Sequence, residues 1–103
     1  MQVADRVFVD QRALTAWTTL PEPGQRQIQE SLAALAIQPP DRWPVEEVVP
    51  LTDRQPLFLL RAADGLRVFF RYNSNGTLTV LDVVLQEMLE RYFVPKSEPA
   101  PTV

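Results

Sequence analysis

The sequence predicts one α+β domain with the element order β-α-α-β-β-β-α, a twisted antiparallel sheet with an αα-hairpin packed on one side. Three observations predict it. Apolar residues recur at helical spacing between residues 14 and 36, the period changes to that of strands after Pro39-Pro40, and Asp64-Gly65 and Asn75-Gly76 fall where tight turns would join those strands. The chain is 103 residues long, 46% hydrophobic and 22% charged, the composition of an ordinary small globular domain. Residues 1–93 suffice for one core and leave no room for a second.

Arg6-Val7-Phe8-Val9 is a short β-branched and aromatic run that reads as a first strand, with Asp10 placed to cap the next helix. Leu14, Trp17 and Leu20 then lie three apart on one face of a helix from about Gln11, which Pro21-Glu22-Pro23-Gly24 breaks. A second helix restarts near Gln25. Ile28, Leu32, Leu35 and Ala36 form its apolar stripe, Gln25, Arg26, Gln29 and Glu30 its wet face, and Pro39-Pro40 ends it.

Residues 45–51 read as a strand or extended arm, kept from a central place in the sheet by Pro44 and Pro50. The run Leu57-Phe58-Leu59-Leu60 suggests burial on both faces. After the Asp64-Gly65 turn, residues 66–72 alternate, with Arg67, Phe69 and Arg71 on one face and Val68, Phe70 and Tyr72 on the other. A second turn, Asn73-Ser74-Asn75-Gly76, leads into the strand of residues 77–85, and residues 86–93 read as a short closing helix with Met88, Leu89, Tyr92 and Phe93 available for packing. The last stretch, 94–103, holds three prolines and almost no large apolar residue, and it is predicted to be a disordered tail.

Composition excludes whole classes of chemistry. With no Cys and no His there is no disulfide framework, thiol nucleophile, Ser-His triad or zinc site of the usual ligand types. Glu87 and Glu90 sit three apart on the last helix without a third ligand type, so they read as a wet face, and no metal or cofactor is expected. Ten basic against thirteen acidic side chains give a net charge of -3, which disfavours general attraction to nucleic acid while leaving room for a local basic patch. No run approaches the roughly 18 apolar residues of a membrane helix, and the start lacks a signal-peptide layout, so a soluble cytoplasmic protein is expected.

The order of elements, and above all LFLLRAADGLRVFFRYNSNGTLTVLDVV followed by a short helix ending in Arg91-Tyr92, resembles the RelE/ParE toxin superfamily, the toxic halves of bacterial type II toxin-antitoxin pairs. The resemblance implies a concave sheet face that an antitoxin helix or extended segment covers. In the ribonuclease branch basic groups polarise the ribose hydroxyl and hold the phosphate. Arg67 stands where that branch keeps an active-site arginine, and Tyr92 aligns with its C-terminal tyrosine. Leu57 and Leu59, however, occupy the places of two lysines, and Gln86 replaces the arginine that comes after the last strand.

Each candidate residue has two readings. Arg61, Arg67 and Arg71 are either solvated or paired with acids such as Asp82 or Glu87, or they form a guanidinium face for a partner's carboxylates or for RNA phosphate. Trp17 reads as core. Trp43, beside Pro44, is either core or an exposed anchor for a partner, and Tyr92 is either packing or functional. The resemblance and the residues support three functions. The preferred one is a toxin component acting by protein contact on a small cognate antitoxin and on a target such as gyrase. The second is a metal-independent, ribosome-dependent mRNA endoribonuclease using Arg67, Arg61 and Tyr92. The third is a non-toxic interaction module on a reused toxin fold.

Overall fold

The computed structural model describes residues 1–52 and 54–88. Six strands, β1 (Gln2–Ala4), β2 (Val7–Val9), β3 (Val48–Pro50), β4 (Leu57–Arg61), β5 (Leu66–Tyr72) and β6 (Leu78–Leu85), form one sheet in the order β1-β2-β6-β5-β4-β3. Two helices, α1 (Leu14–Thr19) and α2 (Glu22–Ala36), lie between β2 and β3 in the chain. The α+β architecture and the paired helices agree with the sequence. The sheet itself is mixed: β2 runs parallel to β6, with Val7 opposite Leu78 and Val9 opposite Val80, while the remaining pairs are antiparallel.

The first strand proves to be a hairpin. Arg6, expected inside the strand, sits in the turn with φ 63, and Gln2–Ala4 folds back as β1. Met1 closes this edge, its carbonyl accepting from Val9 N at 2.7 Å and its amino group donating to Val9 O at 3.0 Å. The extra strand shields the outer edge of β2, which would otherwise present unpaired backbone groups.

Asp10 caps as expected, its Oδ1 accepting from Arg12 N at 2.9 Å to start a 3₁₀ turn that runs into α1. Helix α2 begins at Glu22, ahead of the restart near Gln25, because Pro23 lies in the first turn, where its missing N–H has no intrahelical partner to satisfy. Gln25 crosses the break and donates its side-chain amide to Trp17 O at 2.8 Å. The stripe Ile28, Leu32, Leu35 and Ala36 is buried, as its spacing dictates.

These side chains form one core with Trp17 and with Val7, Val9, Leu60, Leu66, Val68, Phe70, Leu78, Val80 and Val83 from the sheet. The run 57–60 is not buried on both faces. Leu60 is buried, but Leu57, Phe58 and Leu59 are only half-buried, because the described helices cover one side of the sheet. Strand β3 is shorter than residues 45–51 suggested, since Glu47 N and Val48 N both bond to Pro44 O in a turn, and Pro50 sits on an edge strand where a missing donor does no harm.

Trp43 corrects the anchor reading. Its side chain is only 6% exposed, and its indole packs against the rings of Phe58, Phe70 and Tyr72 at centroid distances of 4.9, 5.6 and 5.5 Å. Its polar edge is satisfied internally, so it closes the bottom of the core and offers a partner nothing.

Residues 86–88 begin a helical turn after β6. Most of the expected closing helix, including Tyr92, and the tail 94–103 lie outside the described residues. Among the described residues no helix is long and apolar enough to cross a membrane.

Candidate functional site

None of the described helices covers the other side of the sheet, and register decides what that side displays. Across β4 and β5 the outward pairs are Leu57 opposite Arg71, Leu59 opposite Phe69 and Arg61 opposite Arg67. Strand β3 adds Val49 beside Leu59, and β6 adds Thr79 beside Arg71 and Val84 beside Arg67. Farther out, Phe8 on β2 lies beside Thr79. The result is an apolar band, Val49-Leu59-Phe69, running across the strands, with arginines on both sides of it.

A bulge shapes the central part. Phe70 faces Val80 but Phe69 faces Asp82, so Leu81 is an extra residue on β6 and the register moves by one beyond it. This puts Val84 and Gln86 on the same open side as Arg67, because strand side chains alternate.

Arg67 is held by three acceptors. Its Nε donates to Gln86 Oε1 at 2.8 Å, and its Nη1 donates to Leu66 O at 2.9 Å and Ala62 O at 3.3 Å. Arg61, directly across the pair, is exposed and makes one long bond from Nη1 to Glu46 O at 3.5 Å. Arg71 stands at the far end of the strand, its Nε donating to Asn73 Oδ1 at 3.2 Å. The structure therefore brings Arg61 and Arg67 together and leaves Arg71 about 13 Å along the strand from Arg67.

The expected pairing of these arginines with Asp82 or Glu87 is not formed. Asp82 Oδ1 instead accepts from Val83 N at 2.8 Å, and the ion pairs among the described residues are Arg12–Asp10 and Arg26–Glu22. Leu57 and Leu59, read from the sequence as standing in place of two lysines of the ribonuclease pattern, lie on the open face. Gln86, which in the sequence is only a departure from that pattern, is Arg67's partner in the fold. Alternation puts Phe69 on the correct face, but only the pairing of β4 with β5 sets it beside Leu59 in the apolar band.

A second concavity lies on the helix side, at the break between α1 and α2. This groove, about 400 Å³, is lined by Leu20, Pro21, Pro23, Leu66, Val83 and Leu85 together with Asp64. Among the described residues its lining is apolar apart from the Asp64 carboxylate. Among the described residues no group of three acidic side chains is placed to hold a metal ion.

With this geometry the fold can be compared with solved structures. The chain superposes on E. coli toxin RelE from the intact RelBE toxin-antitoxin complex with a TM-score of 0.58 at 18% identity, covering 75% of this chain and 90% of that one. An arginine double mutant of E. coli toxin RelE in the free state gives 0.61 at 19% identity, over 84% and 88% of the two chains. The archaeal RelE-RelB complex from Pyrococcus horikoshii gives 0.54 at 23% identity, over 79% and 93%. No protein-family model and no curated protein matches the sequence. The chain has a RelE-like fold, in agreement with the resemblance read from residues 57–92.

Proposed function

We propose that this chain is the toxin-fold half of a toxin-antitoxin pair and that it works through protein contact, with a small antitoxin covering its open sheet face. The solved complexes with this fold pair RelE with RelB, which supports an antitoxin as the partner here. One observation carries the mode of action. The face that carries Arg67 presents Leu59 and Phe69 and, farther along beside Arg71, Leu57, and Arg67 itself is bonded to Gln86 and two carbonyls.

Phosphate-transfer chemistry without a metal needs several converging cations or acid-base groups, each contributing about 10²–10⁴-fold. An apolar band flanked by guanidinium groups instead suits a polypeptide, which supplies apolar side chains and carboxylates together.

The test is tightly induced expression of the wild type and of an Arg61→Ala/Arg67→Ala double mutant in bacteria without a cognate antitoxin. The expected result is growth arrest by the wild type with ribosome-bound message left intact, and relief of arrest in the double mutant. Cleavage of ribosome-bound message would establish the endoribonuclease instead. Normal growth at equal levels of folded protein would make this a non-toxic interaction module.

A further inference from the structure

We infer that Arg61 and Arg67 form a seat for a carboxylate of the partner polypeptide, and that Gln86 is the residue that positions Arg67 for it. This rests on the protein-contact reading above and adds the chemistry by which the open face recognises its partner.

Among the described residues Arg61 and Arg67 are a pair of like charges without an ion-pair partner. They are directly opposed in the β4–β5 register, a placement that destabilises a sheet unless an anion lies nearby. Glu46 and Glu47 meet Arg61 through backbone carbonyls, Arg61 N donating to Glu47 O at 2.8 Å and Nη1 reaching Glu46 O at 3.5 Å, while Asp82, beside Phe69 on the open face, accepts from Val83 N.

The guanidinium of Arg67 is also oriented in advance. Gln86 engages Arg67 Nε, and Leu66 and Ala62 engage Nη1, while no described hydrogen bond uses Nη2. A half-buried guanidinium held at Nε and Nη1 offers Nη2, which bonds to none of the described residues, so little rotamer entropy is lost when an anion binds there. Gln86 does this without neutralising the charge. A carboxylate at the same position would hold Arg67 equally well and remove its attraction for a ligand.

The surroundings of the pair select the ligand. Two positions along both strands from the arginine pair stand Leu59 and Phe69, and Val84 flanks Arg67 on β6. An extended segment repeats its side-chain direction every second residue, so one that places Glu or Asp between Arg61 and Arg67 lays an apolar residue, two positions away, over Leu59 and Phe69. A nucleic-acid backbone has no apolar group at that spacing, and its affinity needs several phosphate contacts, whereas the third arginine of this face lies at the far end of β5.

The test uses the full-length protein and two fluorescein-labelled peptides, one with the core Leu-Thr-Glu-Thr-Leu and one with Leu-Thr-Gln-Thr-Leu. Fluorescence anisotropy should show the Glu peptide binding about ten-fold more tightly than the Gln peptide, the range of a hydrogen bond to a charged group. That preference should fall to about two-fold or less in Arg61→Ala/Arg67→Ala and in Gln86→Glu, and should shrink in Gln86→Ala, with thermal unfolding confirming that each variant is folded. A merely structural role for Gln86 would change the affinities for both peptides without changing their ratio.

Equal binding of the two peptides, a preference that survives in the double mutant, or no binding of either peptide would each overturn the inference. So would displacement of the Glu peptide by a micromolar single-stranded oligouridylate, which would assign the seat to phosphate. These outcomes leave the protein-contact reading to be judged by the growth experiment, which does not depend on the peptides.

Discussion

Trp43 donates its indole N–H to the carbonyl of Leu35 at 2.9 Å, and thereby ties a loop residue to the last turn of α2. A second acceptor, Gln38 O, lies at 3.2 Å. Helices end with carbonyls that lack an i+4 partner; the Leu35 carbonyl accepts from Gln38 N at 3.0 Å as the chain turns out of the helix, and the indole adds a second donor to it. The same ring fills the space between Phe58, Phe70 and Tyr72.

Trp43→Phe is accordingly expected to destabilise the domain by about 0.5–1.5 kcal/mol, because it keeps most of the packing and loses the indole hydrogen bond while the Leu35 carbonyl keeps its bond from Gln38 N. Trp43→Ala should cost about 3–5 kcal/mol through the cavity as well. Urea unfolding followed by tyrosine or far-ultraviolet signals measures both. Equal values for the two variants would mean that the ring contributes nothing beyond its hydrogen bond.

Neighbouring phenylalanines on β5 should behave oppositely. Phe70 is fully buried on the helix side, and Phe70→Ala should cost about 3–5 kcal/mol. Phe69 is half-buried on the uncovered side, and Phe69→Ala should cost about 1 kcal/mol or less in stability while weakening capture of a partner protein. Denaturation curves of the two variants, set beside copurification from the native cells, separate the two faces.

Gly76 has φ 84, and no atom beyond its own chain neighbours lies within 4 Å of where a Cβ would stand. Gly76→Ala therefore meets no clash with the rest of the described fold, and its expected penalty of about 1–2 kcal/mol is that of the left-handed backbone. Thermal unfolding should show a lowered midpoint with an unchanged fold by amide spectra. An unchanged midpoint would mean that the turn relaxes to another form.

Gln25 offers a test of the helix break. Its side-chain amide is the donor to Trp17 O at the end of α1, and Gln25→Ala should lose about 0.5–1.5 kcal/mol. Hydrogen exchange of the amides in α1 should rise more than that of β5. Uniform acceleration across both would show that the bond contributes only to global stability.

The helices, their break and the apolar stripe of α2 are legible in the sequence because each depends on local spacing: apolar residues every three or four positions, prolines that stop a ladder, and an aspartate that caps. The two turns of the meander are legible for the same reason, since Gly65 and Gly76 adopt the positive φ that Asp-Gly and Asn-Gly sequences permit. Given those turns, alternation alone yields the outward set Arg67, Phe69 and Arg71.

Features beyond the reach of the sequence depend on contacts between distant segments. The N-terminal hairpin is one, because three residues of β1 carry too little pattern to distinguish a strand from a lead-in, and only pairing with β2 defines it. The core place of Trp43 is another, because burial of a loop aromatic depends on the sheet that it meets. The site turns on a single residue. Counting back from the Asn75-Gly76 turn without a bulge pairs Arg67 with Val83 and sends Gln86 to the helix side. The extra residue Leu81 pairs Arg67 with Val84 instead and brings Gln86 onto the open face, within 2.8 Å of the guanidinium. Local chemistry determined which residues this protein could use, and the register shift, set by packing of Val80 and Val83 into one core, decided which of them meet.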